Sequence, residues 1–298
     1  MTPNVTCETG AVRKALHAVL VIALGAGFAV WVLTGQTPAI TGAARPANVP
    51  DPAFTWYSVP MPGGASTPVG VVRAADPRAG DRPAILLVTG TEGLNTDYPR
   101  FASELAAQGF DVAVGCWFRT EGPTGAGNSG IACPQAPAFK GVSDAAVADL
   151  DALVAGARTA LGDPPSLALV GFSRGGGIAM LRASGGATDP VVSISGMVEG
   201  TTAWGNLPDE VNVVERASGI RAPVLLLHGE DDPLVPITQA EHLAAALQAA
   251  GADVQTHWYP SGGHGLAQVP AIRADLVRRI ADWLPTTLSP AASRPGAG

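Results

Sequence analysis

From residue 53 onward the chain alternates between two spacings of apolar residues. Short runs rich in Val, Ile, Leu and aromatic side chains at 54–59, 69–74, 84–88, 110–115, 167–170, 191–195, 223–228 and 254–259 read as strands. Uninterrupted apolar runs such as Ala84-Ile85-Leu86-Leu87-Val88 are what a strand covered on both faces needs. Between them, apolar residues recur three and four apart. Such stretches cover 99–108, ended by Gly109; 143–161, with Val147, Leu150 and Val154 on one face; and about 174–183. Two more cover 237–250, with Gly251 past the end, and 269–284, with Ile272, Leu276, Ile280 and Leu284 in helical register. Strands and helices in alternation are parallel strands joined by crossover helices. The pattern therefore predicts one α/β domain on a doubly wound, mostly parallel sheet.

The first fifty residues follow another rule. Arg13 and Lys14 precede an uncharged run, 15–33, and a Thr/Pro/Ala/Gly-rich stretch follows it. Basic residues ahead of an apolar segment hold the N-terminus in the cytoplasm and send the remainder across the membrane. The expected organisation is a signal peptide or membrane anchor over 1–35, forming an apolar helix, and a linker over 36–52. The domain then covers 53–288 and a disordered tail 289–298. This places the domain outside the cytoplasm, secreted or held at the membrane by an uncleaved N-terminal segment.

Export bears on the cysteines. Cys7 lies on the cytoplasmic side of the apolar run, which leaves Cys116 and Cys133 in an oxidising compartment. They bound a loop-like stretch and are expected to form a disulfide; two buried thiols would give the same sequence. Composition removes other classes. In 298 residues, 47% are hydrophobic and 14% charged, which excludes disorder as the overall state. A net charge of −7 leaves no basic face to collect phosphates, so nucleic acid is not an expected partner. No cluster of His, Cys or Asp has metal-ligand spacing, and no metal or other cofactor is expected.

Chemistry concentrates after three strands. Gly171-Phe172-Ser173-Arg174-Gly175 follows one strand and opens a helix. A serine there sits on a tight strand-to-helix turn, its hydroxyl lifted clear of the backbone. His228-Gly229-Glu230-Asp231-Asp232-Pro233 follows the next-to-last strand, and Ser261-Gly262-Gly263-His264 follows the last. Ligands of such sheets bind at the carboxyl ends of the strands. A hydroxyl, a carboxylate and an imidazole are thereby expected at one rim, in the order Ser…Asp…His. All three types are needed, because serine is a weak nucleophile unless a histidine takes its proton, and a carboxylate holds that ring in the useful tautomer.

These residues resemble the α/β-hydrolases, and most the dienelactone hydrolase-like branch of that superfamily. The resemblance covers roughly 84–284 and rests on Gly171-Phe-Ser173-Arg-Gly175-Gly176, His228-Gly229-x-x-Asp232-Pro-x-Val235-Pro236 and Tyr259-Pro-x-Gly-Gly263-His264-Gly265. It implies the α/β-hydrolase fold, with Ser173 as nucleophile, Asp232 as acid and His264 as base. Dienelactone hydrolases proper carry a cysteine nucleophile, so the serine here favours ordinary ester chemistry.

Asp231 rivals Asp232, and the acid directly before Pro-x-Val-Pro is the family's position. His228 is expected to be structural, His242 and His257 to have no partners, and His17 to lie in the apolar segment. The resemblance assigns the oxyanion hole to the N–H of Arg174 and one from the loop 89–93, by position Thr91, with Glu92 as the neighbour able to replace it. The Arg174 side chain faces either an anionic substrate group or the solvent at the helix start. Too few residues separate 195 from 223 for a large lid, so Trp204 is expected as an apolar wall of an open site. The expected activity is hydrolysis of small or medium soluble carboxylic esters through an acyl-enzyme. An acyltransferase or a serine peptidase uses the same triad, and a binding protein on this fold is the non-catalytic alternative.

Overall fold

The computed structural model describes residues 39–44, 53–75, 83–120, 133, 135–200 and 210–288. The expected N-terminal helix (1–35), most of the expected linker, Trp204 and the tail 289–298 lie outside them. Among the described residues no helix is long and apolar enough to cross a membrane.

The described strands are β1 (Thr41–Gly42), β2 (Thr55–Pro60), β3 (Ser66–Val72), β4 (Ala84–Val88), β5 (Val112–Gly115), β6 (Leu167–Phe172), β7 (Val191–Ile194), β8 (Val224–Gly229) and β9 (Val254–Tyr259). They form one sheet in the order β1-β2-β3-β5-β4-β6-β7-β8-β9. β1, β2 and β3 pair antiparallel, as do β3 and β5; from β5 to β9 every pairing is parallel. The helices are α1 (Asp97–Ala107), α2 (Asp144–Ala160), α3 (Arg174–Ser184), α4 (Ile237–Ala249) and α5 (Pro270–Leu288).

The apolar runs are continuous because both faces of the sheet are covered. Along β4, Ala84, Leu86 and Val88 join one cluster, with Leu150 and Leu153 of α2, Ile178 of α3 and Leu243 of α4. Ile85 and Leu87 point the other way, into a cluster with Phe101 and Leu105 of α1 and Leu276, Ile280 and Leu284 of α5. In β6 the same alternation sends Leu167 and Leu169 to the first cluster and Ala168 and Val170 to the second. A one-residue slip would exchange the two sets, so dense apolar packing on each side holds the register.

Several boundaries differ from expectation, and three of them add structure or have a plain cause. The stretch read as linker contributes β1, which pairs Thr41 with Ser58 and Gly42 with Tyr57 at the sheet edge. α1 begins at Asp97, two residues early, because Pro99 falls in the first turn, where a missing N–H costs no helical bond. α5 continues through Pro285 to Leu288.

Cys116 and Cys133 form a disulfide spanning 17 positions of chain. Both are fully buried in the second cluster, where β5 ends. Closing a loop of this length removes conformational freedom from the unfolded chain. Replacing both cysteines by alanine is expected to lower stability by about 3 kcal/mol, seen as a drop of roughly 6–10 °C in Tm. An unchanged Tm in non-reducing buffer would show that the cross-link contributes nothing.

Candidate active site

β6 delivers Ser173 to the rim. Ser173 has φ 52° and ψ −120°, outside the regions an L-residue prefers, and α3 starts at the next residue. A Cβ on Gly171 would lie 2.3 Å from the Gly175 carbonyl oxygen, and one on Gly175 would lie 2.3 Å from that of Val88. Only glycine permits this closeness of strand, turn and helix. The strained turn is fixed on both sides: the Ser173 N–H donates to Ile194 O (2.9 Å), and its carbonyl accepts from Gly177 N and Met197 N (3.1 Å each). Strain of this kind costs on the order of 1–3 kcal/mol and persists only where the surroundings enforce it.

Acid and base leave the sheet from adjacent strands. β8 and β9 pair His228 with Trp258 and Gly229 with Tyr259. Beyond the ladder, Glu230 N donates to Tyr259 O (3.0 Å) and Asp231 N to Gly262 O (3.1 Å), which ties the two loops together. A Cβ on Gly229 would stand 2.0 Å from Gly262 O, so this junction also demands a glycine. The result is a chain of contacts: His264 Nδ1 lies 2.8 Å from Asp232 Oδ2, and His264 Nε2 lies 3.0 Å from Ser173 Oγ. The structure thus brings Ser173, Asp232 and His264 together as the spacing predicts. Asp231 is exposed, whereas Asp232 is buried.

Asp232 is held from three sides. Its Oδ1 accepts from Leu234 N and Val235 N, both at 2.9 Å. His228, itself buried, places Nε2 2.9 Å from Val235 O and 3.4 Å from Asp232 Oδ2. Both neighbours only accept, so that nitrogen carries the proton. Burial alone would raise the Asp232 pKa. Hydrogen bonds from His228, His264 and Val235 N–H outweigh it and hold the carboxyl well below the usual range.

A cavity of about 550 Å³ opens over Ser173 and His264, with Thr91, Glu92 and Arg174 in its lining. The two alternatives for the Arg174 side chain are replaced by a third. It turns inward, Nε donating to Glu210 Oε1 (2.9 Å) and Nη1 to Thr91 Oγ1 (2.9 Å), with the guanidinium 5.4 Å from the Phe139 ring centre. This pair is buried, with 10% of the Arg174 side chain and 1% of the Glu210 side chain exposed. Glu92 accepts the Tyr98 hydroxyl proton, and the Tyr98 oxygen accepts from Gly90 N (2.7 Å). Burial, reinforced by Glu92, keeps this phenol far above its usual pKa.

Sequence reasoning missed the aromatic lining, Tyr98 and Phe101 from α1 and Phe172 from β6, and the partner Glu210. Phe172 was legible from its place inside the elbow motif. Glu210 lies 36 positions from Arg174 and gave no linear signal. Of the histidines expected to lack partners, His242 Nδ1 sits 2.7 Å from Glu199 Oε1 and His257 Nε2 4.0 Å from Asp275 Oδ2. Both ring nitrogens face carboxylates from other segments, 43 positions away for His242 and on the following helix for His257. Among the described residues no group of three or more His, Cys, Asp or Glu could hold a metal ion.

Comparison with known proteins gives the arrangement a lineage. A "Putative carboxymethylenebutenolidase" of Methylorubrum extorquens is 28% identical over 239 residues, covering 76% of this chain and 78% of the relative. A protein of the same name from Yersinia pestis is 31% identical over 223 residues, covering 70% and 79%. In fold, the chain is similar to the crystal structure titled "Putative Dienelactone Hydrolase" from Klebsiella pneumoniae. The TM-score is 0.61 at 22% identity, over 83% of this chain and 98% of that one. The model of the dienelactone hydrolase family matches residues 71–284, from β3 to α5 and through all three site loops. With most of its length inside that match, the chain belongs to the dienelactone hydrolase family of α/β-hydrolases.

Proposed function

We propose that this hydrolase cleaves carboxylic esters of small or medium soluble substrates through an acyl-enzyme on Ser173. The observation that carries the reading is the relay Ser173 Oγ–His264 Nε2–His264 Nδ1–Asp232, 3.0 and 2.8 Å in its two hydrogen bonds, at the floor of a cavity. Ser173 Oγ attacks the ester carbonyl carbon as its proton passes to His264 Nε2. Asp232 keeps Nδ1 protonated and stabilises the imidazolium that forms. The negative charge on the former carbonyl oxygen is met by the N–H of Arg174, at the start of α3, where helical N–H groups have no intrahelical acceptor. The second donor comes from the loop after β4, with Thr91 as the residue in position. Collapse expels the alcohol with the proton from His264, and water then attacks the acyl-enzyme by the same route.

The same reading puts the domain outside the cytoplasm. Disulfides such as Cys116–Cys133 persist in oxidising compartments, and the apolar run 15–33 behind Arg13 and Lys14 is the export address.

Ser173→Ala is expected to leave the circular dichroism spectrum and Tm near wild type and to lower kcat for p-nitrophenyl esters by about 10⁴-fold or more. Retained turnover in that variant would refute the assignment.

Asp232 also sets a pH dependence of stability. Its folded pKa lies below the unfolded value of about 3.9, so its stabilising contribution is fully present above about pH 4–5 and is lost as pH falls towards the folded value. The stability difference between wild type and Asp232→Asn should therefore stay constant from pH 8 to about pH 5 and shrink only in more acidic solution. Denaturant titrations at several pH values measure this. Shrinkage already between pH 7 and pH 5 would mean that the carboxyl is not depressed.

A further inference from the structure

Arg174 serves the site twice. Its N–H opens α3 beside Ser173, and its side chain crosses to the loop after β4, where Nη1 donates to Thr91 Oγ1 (2.9 Å). One residue thereby joins both backbone segments proposed for the oxyanion hole. Two N–H groups of that loop are already used: Gly90 N donates to the Tyr98 hydroxyl oxygen (2.7 Å), and Gly93 N donates to Gly90 O (3.0 Å). Thr91 N meets no backbone acceptor among the described residues, and Thr91 lines the cavity over Ser173. The guanidinium thus grips a residue whose N–H is left to meet a developing oxyanion.

The other end of the guanidinium is anchored. Nε donates to Glu210 Oε1 (2.9 Å), and both side chains of this pair are buried. Glu210 stands where the chain is pinned to two loops, Val211 N donating to Val142 O (2.8 Å) and Val213 N to Val198 O (2.7 Å). Gly141, at φ 69°, makes room for it, since a Cβ there would lie 2.8 Å from Glu210 Cγ. A buried ion pair adds little stability over apolar side chains of the same volume, because desolvation cancels most of the attraction. What a guanidinium adds is geometry. It is a rigid planar fork that donates in fixed directions, so the Nε and Nη1 bonds together set the distance between Glu210 and Thr91.

We propose that the Arg174 side chain and Glu210 are positioning residues for the oxyanion hole. Glu210 fixes the guanidinium, the guanidinium fixes Thr91, and the N–H groups of Thr91 and Arg174 are held at the spacing that a tetrahedral oxyanion requires. The proposal rests on the esterase reading above and adds to it a residue outside the triad, 36 positions from Arg174. An oxyanion hole works only if its donors are aligned before charge develops, and one donor is worth about 10²- to 10³-fold in kcat. A donor set adrift should therefore cost about 10–100-fold in kcat and spare ground-state binding.

The test uses the full chain and p-nitrophenyl butyrate. Glu210→Ala and Thr91→Val each cut the clamp at one end, and each should lower kcat by about 10–100-fold with KM within about threefold of wild type. In the double variant the two losses should not multiply, because either break releases the same loop. Glu210→Gln and Thr91→Ser keep an oxygen acceptor and should recover most of the loss. Binding of a trifluoromethyl ketone, whose hemiketal oxyanion occupies the hole, should weaken by the same factor as kcat/KM. A purely structural role would lower Tm without that match, so circular dichroism and Tm are measured alongside. Glu210→Ala strands a buried guanidinium; if it does not fold, the Thr91 pair decides, a slow Val variant with recovery in Ser supporting the clamp and equal rates overturning it. A loss confined to Thr91→Val with Glu210→Ala as fast as wild type, or losses that multiply, overturns the clamp and leaves the esterase reading intact. If the wild type turns over no ester, the esterase reading falls, and the clamp is decided by the rate at which a fluorophosphonate labels Ser173, a step that also draws on the hole. Slower labelling in Glu210→Ala and Thr91→Val supports it, and equal rates or no labelling overturn it.

Discussion

The pairing of β8 with β9 decides whether His264 meets Asp232. The two strands leave the sheet side by side, with Gly229 opposite Tyr259, and their loops are stitched by Glu230 N to Tyr259 O and Asp231 N to Gly262 O. Asp232 and His264 are 32 positions apart in the chain and 2.8 Å apart in space because of that register. Shift β9 by one residue and Gly262 no longer meets Asp231, which displaces the loop that carries His264. Everything downstream, from the tautomer of His264 to the reach of its Nε2 towards Ser173, inherits the alignment. The apolar side chains of both sheet faces hold it.

A second constraint is the pairing of the charges buried beneath the site. Isolated buried charges are expensive, and they are tolerated when paired and hydrogen-bonded. Asp232 meets this condition with two backbone N–H groups and two imidazoles, Arg174 with Glu210 and Thr91. The Arg174 side chain also bridges the elbow to the loop after β4, so the two backbone segments proposed for the oxyanion hole are cross-braced.

Much of this was legible in the linear chain, and the reason is physical. A strand covered on both faces must be apolar throughout, so β4, β6 and β8 stand out as unbroken runs; a strand-to-helix turn as tight as that at Ser173 demands glycines on either side. Those two rules locate the sheet, the elbow and the loops that carry Asp232 and His264. What stayed hidden depends on side chains meeting across long separations. Glu210 beneath Arg174 and Glu199 beside His242 leave no periodic trace. β1 was missed because two residues, Thr41 and Gly42, are too short a strand to show alternation. The aromatic lining from α1 was hidden for another reason: the pattern begins that helix at residue 99, which leaves Tyr98 outside it, and an aromatic on an amphipathic helix does not distinguish a cavity wall from the core.

The central claim is that one hydroxyl, one imidazole and one carboxylate act as a unit at the end of β6. The most direct measurement is a crystal structure of the protein after reaction with a fluorophosphonate. The account predicts a covalent bond from Ser173 Oγ to phosphorus, the phosphoryl oxygen within hydrogen-bond distance of Arg174 N, and His264 still joined to Asp232. Unreacted Ser173, an adduct on another residue, or an imidazole turned away from both partners would contradict it.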